Sequence, residues 1–264
     1  MMTPYYEHGG ITIYLGDCRE VLPMLPTVDA VLADPPFGIG FKYESYIDTP
    51  EGYGAFVWGV VESTEGKCSP GSPVFVWQAM PNVRHFVEWF PREWRIFAAA
   101  KNFVQMRPTP MQYAFDPVLV WWTEGEPWTA GTANRDFYVA NTSAAVSNPA
   151  APERQHPCPR PIDQLNHIVA QWVRPGGVVL DPFMGSGTAL VAAKNLGRRA
   201  IGIELEERYC EIAVQRLKQE SLFSSRGEAK KPTQLPLGET EWNAEGNAQT
   251  VATHTTTEKD SSTL

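Results

Sequence analysis

Paired cysteines and long apolar runs are both missing from this chain. Its four cysteines, Cys18, Cys68, Cys158 and Cys210, lie far apart with no CxxC among them. That spacing excludes a zinc knuckle or a disulfide framework, so the thiols read as reduced and no metal centre is expected. No stretch reaches the roughly 20 apolar residues that cross a membrane, and no membrane partner is expected. The start, MMTPYYEHGG, has no basic segment followed by an apolar one, so a soluble, cytoplasmic protein is expected. Positive charge is also scarce: 22 Lys and Arg stand against 30 Asp and Glu, a formal charge of −8. That balance is awkward for any surface that must hold a polyanion. Charge nevertheless acts locally. Between 84 and 107 five basic residues, Arg84, Arg92, Arg95, Lys101 and Arg107, face two acidic ones, Glu88 and Glu93. The stretch is a candidate polyanion-contacting face, with an ordinary solvated surface as the equal alternative.

What the chain does have is enough apolar material for one good core. At 264 residues and 43% hydrophobic, a single α/β domain with a tail is the natural expectation. Residues 11–14, 28–33, 73–78, 94–99, 117–123, 178–180 and 199–203 read as strands. Helical spacing of apolar residues covers 19–25, 53–62, 81–90, 162–173 and 188–196, with a long helix running to about 221. Strand alternating with helix predicts a largely parallel sheet with helices on both faces. Two stretches break the alternation. Residues 125–155, rich in Gly, Ala, Asn, Thr and Pro, read as an irregular insert. From 222 to 264 the chain turns to Ser, Thr, Glu, Lys and Pro, which bury too little to offset the entropy of ordering, so this tail is expected to be disordered. His85 and His167, each alone on a helix-like stretch, read as structural, and Trp121 and Trp122 read as core.

Two turns carry chemistry. In the first, the strand VVL ends at Asp181 and runs through Pro182-Phe183-Met184-Gly185-Ser186-Gly187 into a helix near Thr188. Small residues there let a ligand approach free backbone amides at the positive end of a helix. The next strand ends at Glu204, where a carboxylate can accept both hydroxyls of a ribose, as in dinucleotide sites. A phosphate-gripping loop would need GK[ST], and Gly187 is followed by Thr188; a nicotinamide site would want a third glycine near Leu190, which is absent. A cofactor made of a nucleoside and an amino acid without phosphate fits better: S-adenosylmethionine, with Asp181 holding its ammonium group.

In the second turn, VDAVLA leads into Asp34-Pro35-Pro36-Phe37. An exocyclic ring amine is a poor nucleophile because its lone pair is delocalised. Two acceptors on its hydrogens pull the nitrogen toward a tetrahedral shape and localise that pair. Asp34 supplies one acceptor and the Pro35 carbonyl, held rigidly by two consecutive prolines, the other; Phe37 offers a stacking face. Taken alone, Asp-Pro-Pro is also a common way to end a strand.

DPPF followed by DPFMGSGT resembles the catalytic and cofactor motifs of the β-group of amino DNA methyltransferases, in which the catalytic half precedes the cofactor half. LGDCREVLPMLP before the first turn, HPCPRP at 156–161 and RRAIGIELEERYCEIAVQRL after the glycine loop extend the resemblance over about 11–220. It implies a Rossmann-like methyltransferase fold with circularly permuted motif order: a seven-stranded, mostly parallel sheet with one antiparallel strand, carried by residues 1–221. It places Asp34, Pro35, Pro36 and Phe37 at the reacting amine. Around the cofactor it places Asp17 near the adenine, with Cys18, Asp34, Asp181, Phe183, Gly185, Ser186, Gly187, Thr188, Glu204 and Leu205, and Arg160 and Pro161 toward the methionine end. Cys158, Pro159 and Arg160 replace the Thr, Gln and Lys usual in that last segment. The insert at 125–155 takes the place of the family's target-recognition region and is short, which implies few base contacts or help from a second subunit. The implied partner is double-stranded DNA in a bacterial or phage-infected cell, with a homodimer and a companion restriction endonuclease left open. Asp rather than Ser at 34 implies adenine N6 as the target; cytosine N4, an RNA or protein amide, and a catalytically silent DNA-binding subunit are the rivals.

Overall fold

Alternation of apolar side chains between two faces decides the layering. The computed structural model describes residues 2–40, 49–101, 113–131, 134–140, 160–219, 240–242 and 248–250. By its contacts the chain falls into two units, Met1–Phe223 and Ser224–Leu264. In the first, one sheet contains β1 (Tyr6–His8), β2 (Ile11–Leu15), β3 (Ala30–Ala33), β4 (Pro73–Trp77), β5 (Arg95–Lys101), β6 (Phe115–Trp122), β7 (Phe137–Ala140), β8 (Val178–Asp181) and β9 (Arg199–Glu204). Their order is β1-β2-β9-β8-β3-β4-β6-β5-β7. Around it stand α1 (Cys18–Val21), α2 (Tyr53–Glu65), α3 (Phe86–Trp89), α4 (Ile162–Trp172), α5 (Thr188–Asn195) and α6 (Glu207–Lys218).

Leu32 of β3, Phe75 and Trp77 of β4 and Val179 of β8 point to one face, where α4, α5 and α6 bring Ile168, Trp172, Leu190 and Ala213. Val31, Val74, Val76 and Leu180 point to the other, under Val21, Val57, Val61 and Phe86 of the first three helices. The residue-by-residue switch of face is the pleat of a strand buried on both sides. Each such fully buried Val, Leu, Ile or Phe contributes about 1.5–3 kcal/mol relative to exposure.

The sheet has nine strands rather than the expected seven. The additions are its two edges. β1 folds back antiparallel on β2 through Gly9 and Gly10, both at positive φ (59° and 80°), which a two-residue hairpin turn needs and only glycine adopts without strain. β7 rises from the insert read as irregular and runs parallel to β5. Against the parallel majority, β6 pairs antiparallel with both β4 and β5. The tail expected to be disordered carries β10 (Thr240–Trp242) paired antiparallel with β11 (Ala248–Thr250); composition missed this pair, and two strands alone are marginal in water. Residues 141–155, 156–159 with Cys158, Arg107 and the remainder of the tail lie outside the described residues. No helix among the described residues is long and apolar enough to cross a membrane.

The connections fix where a ligand belongs. From β3 the chain passes through α2 to β4, and from β8 through α5 to β9, on the opposite side. β3 and β8 are themselves parallel neighbours, with Ala30 opposite Val179 and Val31 opposite Leu180. The chain therefore leaves in two directions from adjacent strands, and the crevice above their carboxyl ends is the binding position of an open α/β sheet.

Candidate active site

Consecutive strands place one polar residue each at this carboxyl edge. Asp17 follows β2, Glu204 ends β9, Asp181 ends β8, Asp34 follows β3, and Gln78 follows β4. Glu204 is held by two backbone amides: Gly185 N–H donates to Oε2 and Glu206 N–H to Oε1, both at 2.9 Å. Burial nevertheless pushes its carboxyl up to about 7. Asp181, only 6% exposed, has its carboxyl raised well above the usual range, first by burial and then by the nearby charges of Asp34 and Glu204. Phe183 N–H donates to Asp181 Oδ1 at 3.1 Å. A row of half-desolvated carboxylates that disfavour one another's charge is a setting in which a cationic ligand is stabilised.

The glycine loop is shaped by packing. Gly187 sits at φ +77°, and a Cβ there would meet the Cβ of Ala213 on α6 at 2.8 Å, so a side chain is excluded both by conformation and by space. Ser186 and Thr188 are buried, and their hydroxyls accept from Arg216 Nη1 at 3.0 and 3.1 Å. Their side chains therefore serve the join to α6, and contact with a cofactor is left to their backbones. Cys18 is likewise core: it is 7% exposed and burial pushes its thiol up to about 12. Asp17 caps α1, accepting Arg19 N–H at 2.8 Å, and Arg19 also grips its carboxylate, holding it below the usual range. Leu205 is 45% exposed beside Glu204, and Phe183 meets Phe56 of α2 edge-on at 6.1 Å. Pro161 begins α4 as its N-cap.

Around Asp34 the structure assembles residues that sequence reasoning did not bring together. Arg160 forks onto its carboxylate, Nε to Oδ2 at 2.7 Å and Nη2 to Oδ1 at 2.6 Å. Its Nη1 reaches Asp116 Oδ2 at 2.5 Å, and Lys101 Nζ lies 2.9 Å from the same oxygen. The guanidinium also lies 5.6 Å from the Phe37 ring centre and 5.9 Å from that of Trp77. Asn82 Nδ2 donates to the Phe37 carbonyl at 2.9 Å, and Tyr53 OH to Gln78 Oε1 at 3.1 Å. Pro35 is buried and Pro36 and Phe37 are half-buried. Arg160 was assigned to the methionine end of the cofactor; here it is bonded to Asp34. Asp116, Lys101, Asn82 and Gln78 were missed, though Gln78 was findable as the residue just past the strand following the Asp34 turn.

The basic stretch does not form one face. Lys101 ends β5 at the carboxyl edge, whereas Arg95 begins the same strand at the opposite edge. Arg92 is bound to Glu65 at 2.5 Å and lies over the rings of Trp58 and Trp121 at 4.8 and 5.2 Å. Arg84 donates to His85 Nε2 at 2.9 Å. Trp121 is 4% exposed, in keeping with a core role, and His167, stacked on Tyr138 at 4.6 Å, has its pKa lowered by burial.

A switch-point crevice with a glycine loop and carboxylates at the ends of adjacent parallel strands is a setting suited to a nucleoside-bearing, cationic cofactor. Comparison with known proteins carries this further. A family model described as DNA methylase (N6_N4_Mtase) matches residues 28–215. The chain belongs to this family of DNA methyltransferases acting on amino groups. It is 27% identical over 268 residues to the type II methyltransferase M.ScaI of Streptomyces caespitosus, covering 83% of this chain and 86% of that one. Among solved structures it resembles the M1.HpyAVI complex with S-adenosylmethionine, at TM-score 0.64 and 21% identity, over 79% of this chain and all of the other. It also resembles the cytosine-N4-specific PvuII methyltransferase, at TM-score 0.67 and 16% identity, over 84% and 91% of the two chains.

S-adenosylmethionine is the family's cofactor, and the residues present suit it. The acidic row complements an ammonium and a sulfonium, and the oxygens of Glu204 retain lone pairs beyond the two amide bonds for ribose hydroxyls. The Cβ-free approach at Gly187 keeps the loop tight against α6 beneath the crevice.

Proposed function

We propose that the protein methylates the exocyclic N6 of adenine in double-stranded DNA, with the target base turned out of the duplex into the crevice. The observation that carries this reading is the placement of Asp34 and Asp181 at the ends of adjacent parallel strands, with Phe37 beside Asp34. On this reading an amine acceptor stands next to the cofactor's amino-acid end. When bound, the cofactor supplies an electrophilic methyl on a sulfonium centre. Glu204 accepts the ribose hydroxyls, and Asp181 holds the ammonium. Asp34 and the Pro35 carbonyl accept the two N–H groups of the target amine and localise its lone pair; no group among the described residues donates to that carbonyl. Phe37 stacks on the base, and the amine proton leaves late to water, so Asp34 serves as an orienting acceptor and not as a strong base.

The choice of adenine rests on Asp rather than Ser at 34. The physical difference is modest, because both target amines present two hydrogens to similar acceptors. On the same reading residues 1–221 carry the activity, the short insert makes few base contacts, and a second copy of the chain on DNA supplies the rest. A restriction endonuclease of the same site specificity is the companion this reading implies. The test is digestion of DNA methylated by the purified protein to nucleosides, with the product identified by mass spectrometry. N6-methyladenine is expected. N4-methylcytosine would overturn the base while leaving the chemistry, and no methyl incorporation into any DNA would overturn the reading.

A further inference from the structure

We propose that Arg160 is a positioning residue for Asp34, itself held in place by Asp116 and Lys101, and that it sets the direction in which the carboxylate meets the target amine. The inference rests on the reading that Asp34 accepts that amine.

The geometry is that of a fork. Nε and Nη2 of Arg160 meet the two oxygens of Asp34 at 2.7 and 2.6 Å, so one lone pair on each oxygen faces the arginine. A carboxylate oxygen has a second lone pair, and the Asp34 side chain keeps 27% of its surface exposed. The fork thus leaves acceptor capacity for an incoming N–H while removing the free rotation of the carboxylate. Bidentate Arg–carboxylate pairs fix a plane as well as a distance, which a lysine ammonium does not.

Arg160 is itself over-determined. Its side chain is 13% exposed, and its remaining nitrogen Nη1 is held by Asp116 at 2.5 Å. Burial acts to raise the Asp116 carboxyl, and the charges of Arg160 and Lys101 more than offset it, so it stays ionised. With Lys101 Nζ at 2.9 Å from Asp116, the cluster pairs two carboxylates with two cations. That matching keeps a buried arginine charged without an unpaired partner. Because the same guanidinium lies over Phe37 and Trp77, one residue ties the amine acceptor to the ring that stacks on the base. A displacement of about 1 Å at reacting groups costs on the order of 100-fold in rate, and this is the effect an unlocked Asp34 should show.

Arg160→Lys, Arg160→Ala and Asp116→Asn separate this role from the cofactor-binding one that the sequence pattern implies. Single-turnover methyl transfer at saturating S-adenosylmethionine and DNA is measured beside calorimetric cofactor affinity. Arg160→Lys and Arg160→Ala should each lose on the order of 100-fold in the transfer step, with cofactor affinity within about twofold of wild type. Asp116→Asn should lose less than either. Added ethylguanidinium should restore at least part of the rate in Arg160→Ala, a rescue that a general loss of packing would not give. A full transfer rate at saturation combined with weakened cofactor affinity would overturn the proposal and return Arg160 to the cofactor. So would wild-type rates in Arg160→Lys. Should Arg160→Ala fail to fold, the lysine variant and Asp116→Asn still decide. Asp34→Ala, assayed in parallel, isolates the premise. Normal turnover there removes the amine-acceptor reading itself, whereas its loss beside fully active Arg160 variants removes only the positioning role.

Discussion

The two ends of one sheet carry nearly the same ingredients and differ in what those ingredients face. At the carboxyl edge Arg160 pairs with Asp34 and Asp116 over the rings of Phe37 and Trp77. At the amino edge Arg92 pairs with Glu65 over the rings of Trp58 and Trp121. Composition cannot tell these clusters apart. Topology can: the first stands where chain connections part between β3 and β8, and residues from four strands, β3, β4, β5 and β6, converge on it, whereas Glu65 comes from the last turn of α2, at the far end of that helix from the crevice. Trp121 Nε1 donates to Glu65 at 2.6 Å, so the second cluster ties β6 to α2 as a structural knot, with Arg92 Nε left buried and without a hydrogen-bond partner among the described residues.

The sharpest way to break the comparison is to remove a charged side chain from each end. Asp34→Ala should lower kcat by about 10²–10⁴-fold, the scale of a group acting on a proton-bearing reacting atom, with cofactor affinity nearly intact by calorimetry. Glu204→Ala should weaken cofactor binding by about 1–3 kcal/mol through lost ribose hydrogen bonds. Arg92→Ala, at the opposite edge, should cost about 1–3 kcal/mol of stability in a denaturant melt through the lost ion pair and ring contact, while kcat and the KM for DNA stay at wild-type values. A catalytic defect in that variant would erase the distinction between the two ends.

A smaller effect sharpens the electrostatic side. The Glu204 carboxyl is raised from its ordinary 4.5 to about 7, so the folded protein holds that proton where the unfolded chain has lost it. Its contribution to stability is therefore full below about 4.5 and is lost as pH rises through about 7. A cationic ligand favours the ionised form, so cofactor binding near pH 6 should expel protons and tighten as pH rises toward 7. Calorimetry in buffers of different ionisation enthalpy reads this directly; binding heats independent of buffer would contradict it.

Much of this was legible in the residues, for identifiable reasons. The turns at Asp34 and Asp181 follow short apolar runs buried on both faces, a pattern that marks parallel central strands, and glycine spacing with Glu204 narrows the ligand class. The edge strands were harder. β7 alternates exposed Phe137 and Val139 with half-buried Tyr138 and buried Ala140 inside a stretch whose composition reads as loop, and only its pairing with β5 makes it a strand. β1 was readable from Gly9-Gly10 between two β-prone runs, and was overlooked. The basic stretch misled because charge counted along the chain ignores strand direction: Arg95 and Lys101 are the first and last of the 7 residues of β5 and lie at its opposite ends. The Arg160–Asp34 bond joins residues 126 positions apart, a pairing that no local pattern encodes.

The measurement closest to the central claim is a crystal structure of the protein with S-adenosylmethionine. The account predicts the ribose hydroxyls on Glu204, the ammonium at Asp181 and the methyl group directed toward Asp34 and Phe37. A ligand seated instead in the groove lined by Arg92, Trp94, Arg95 and Trp122 at the amino edge would contradict it.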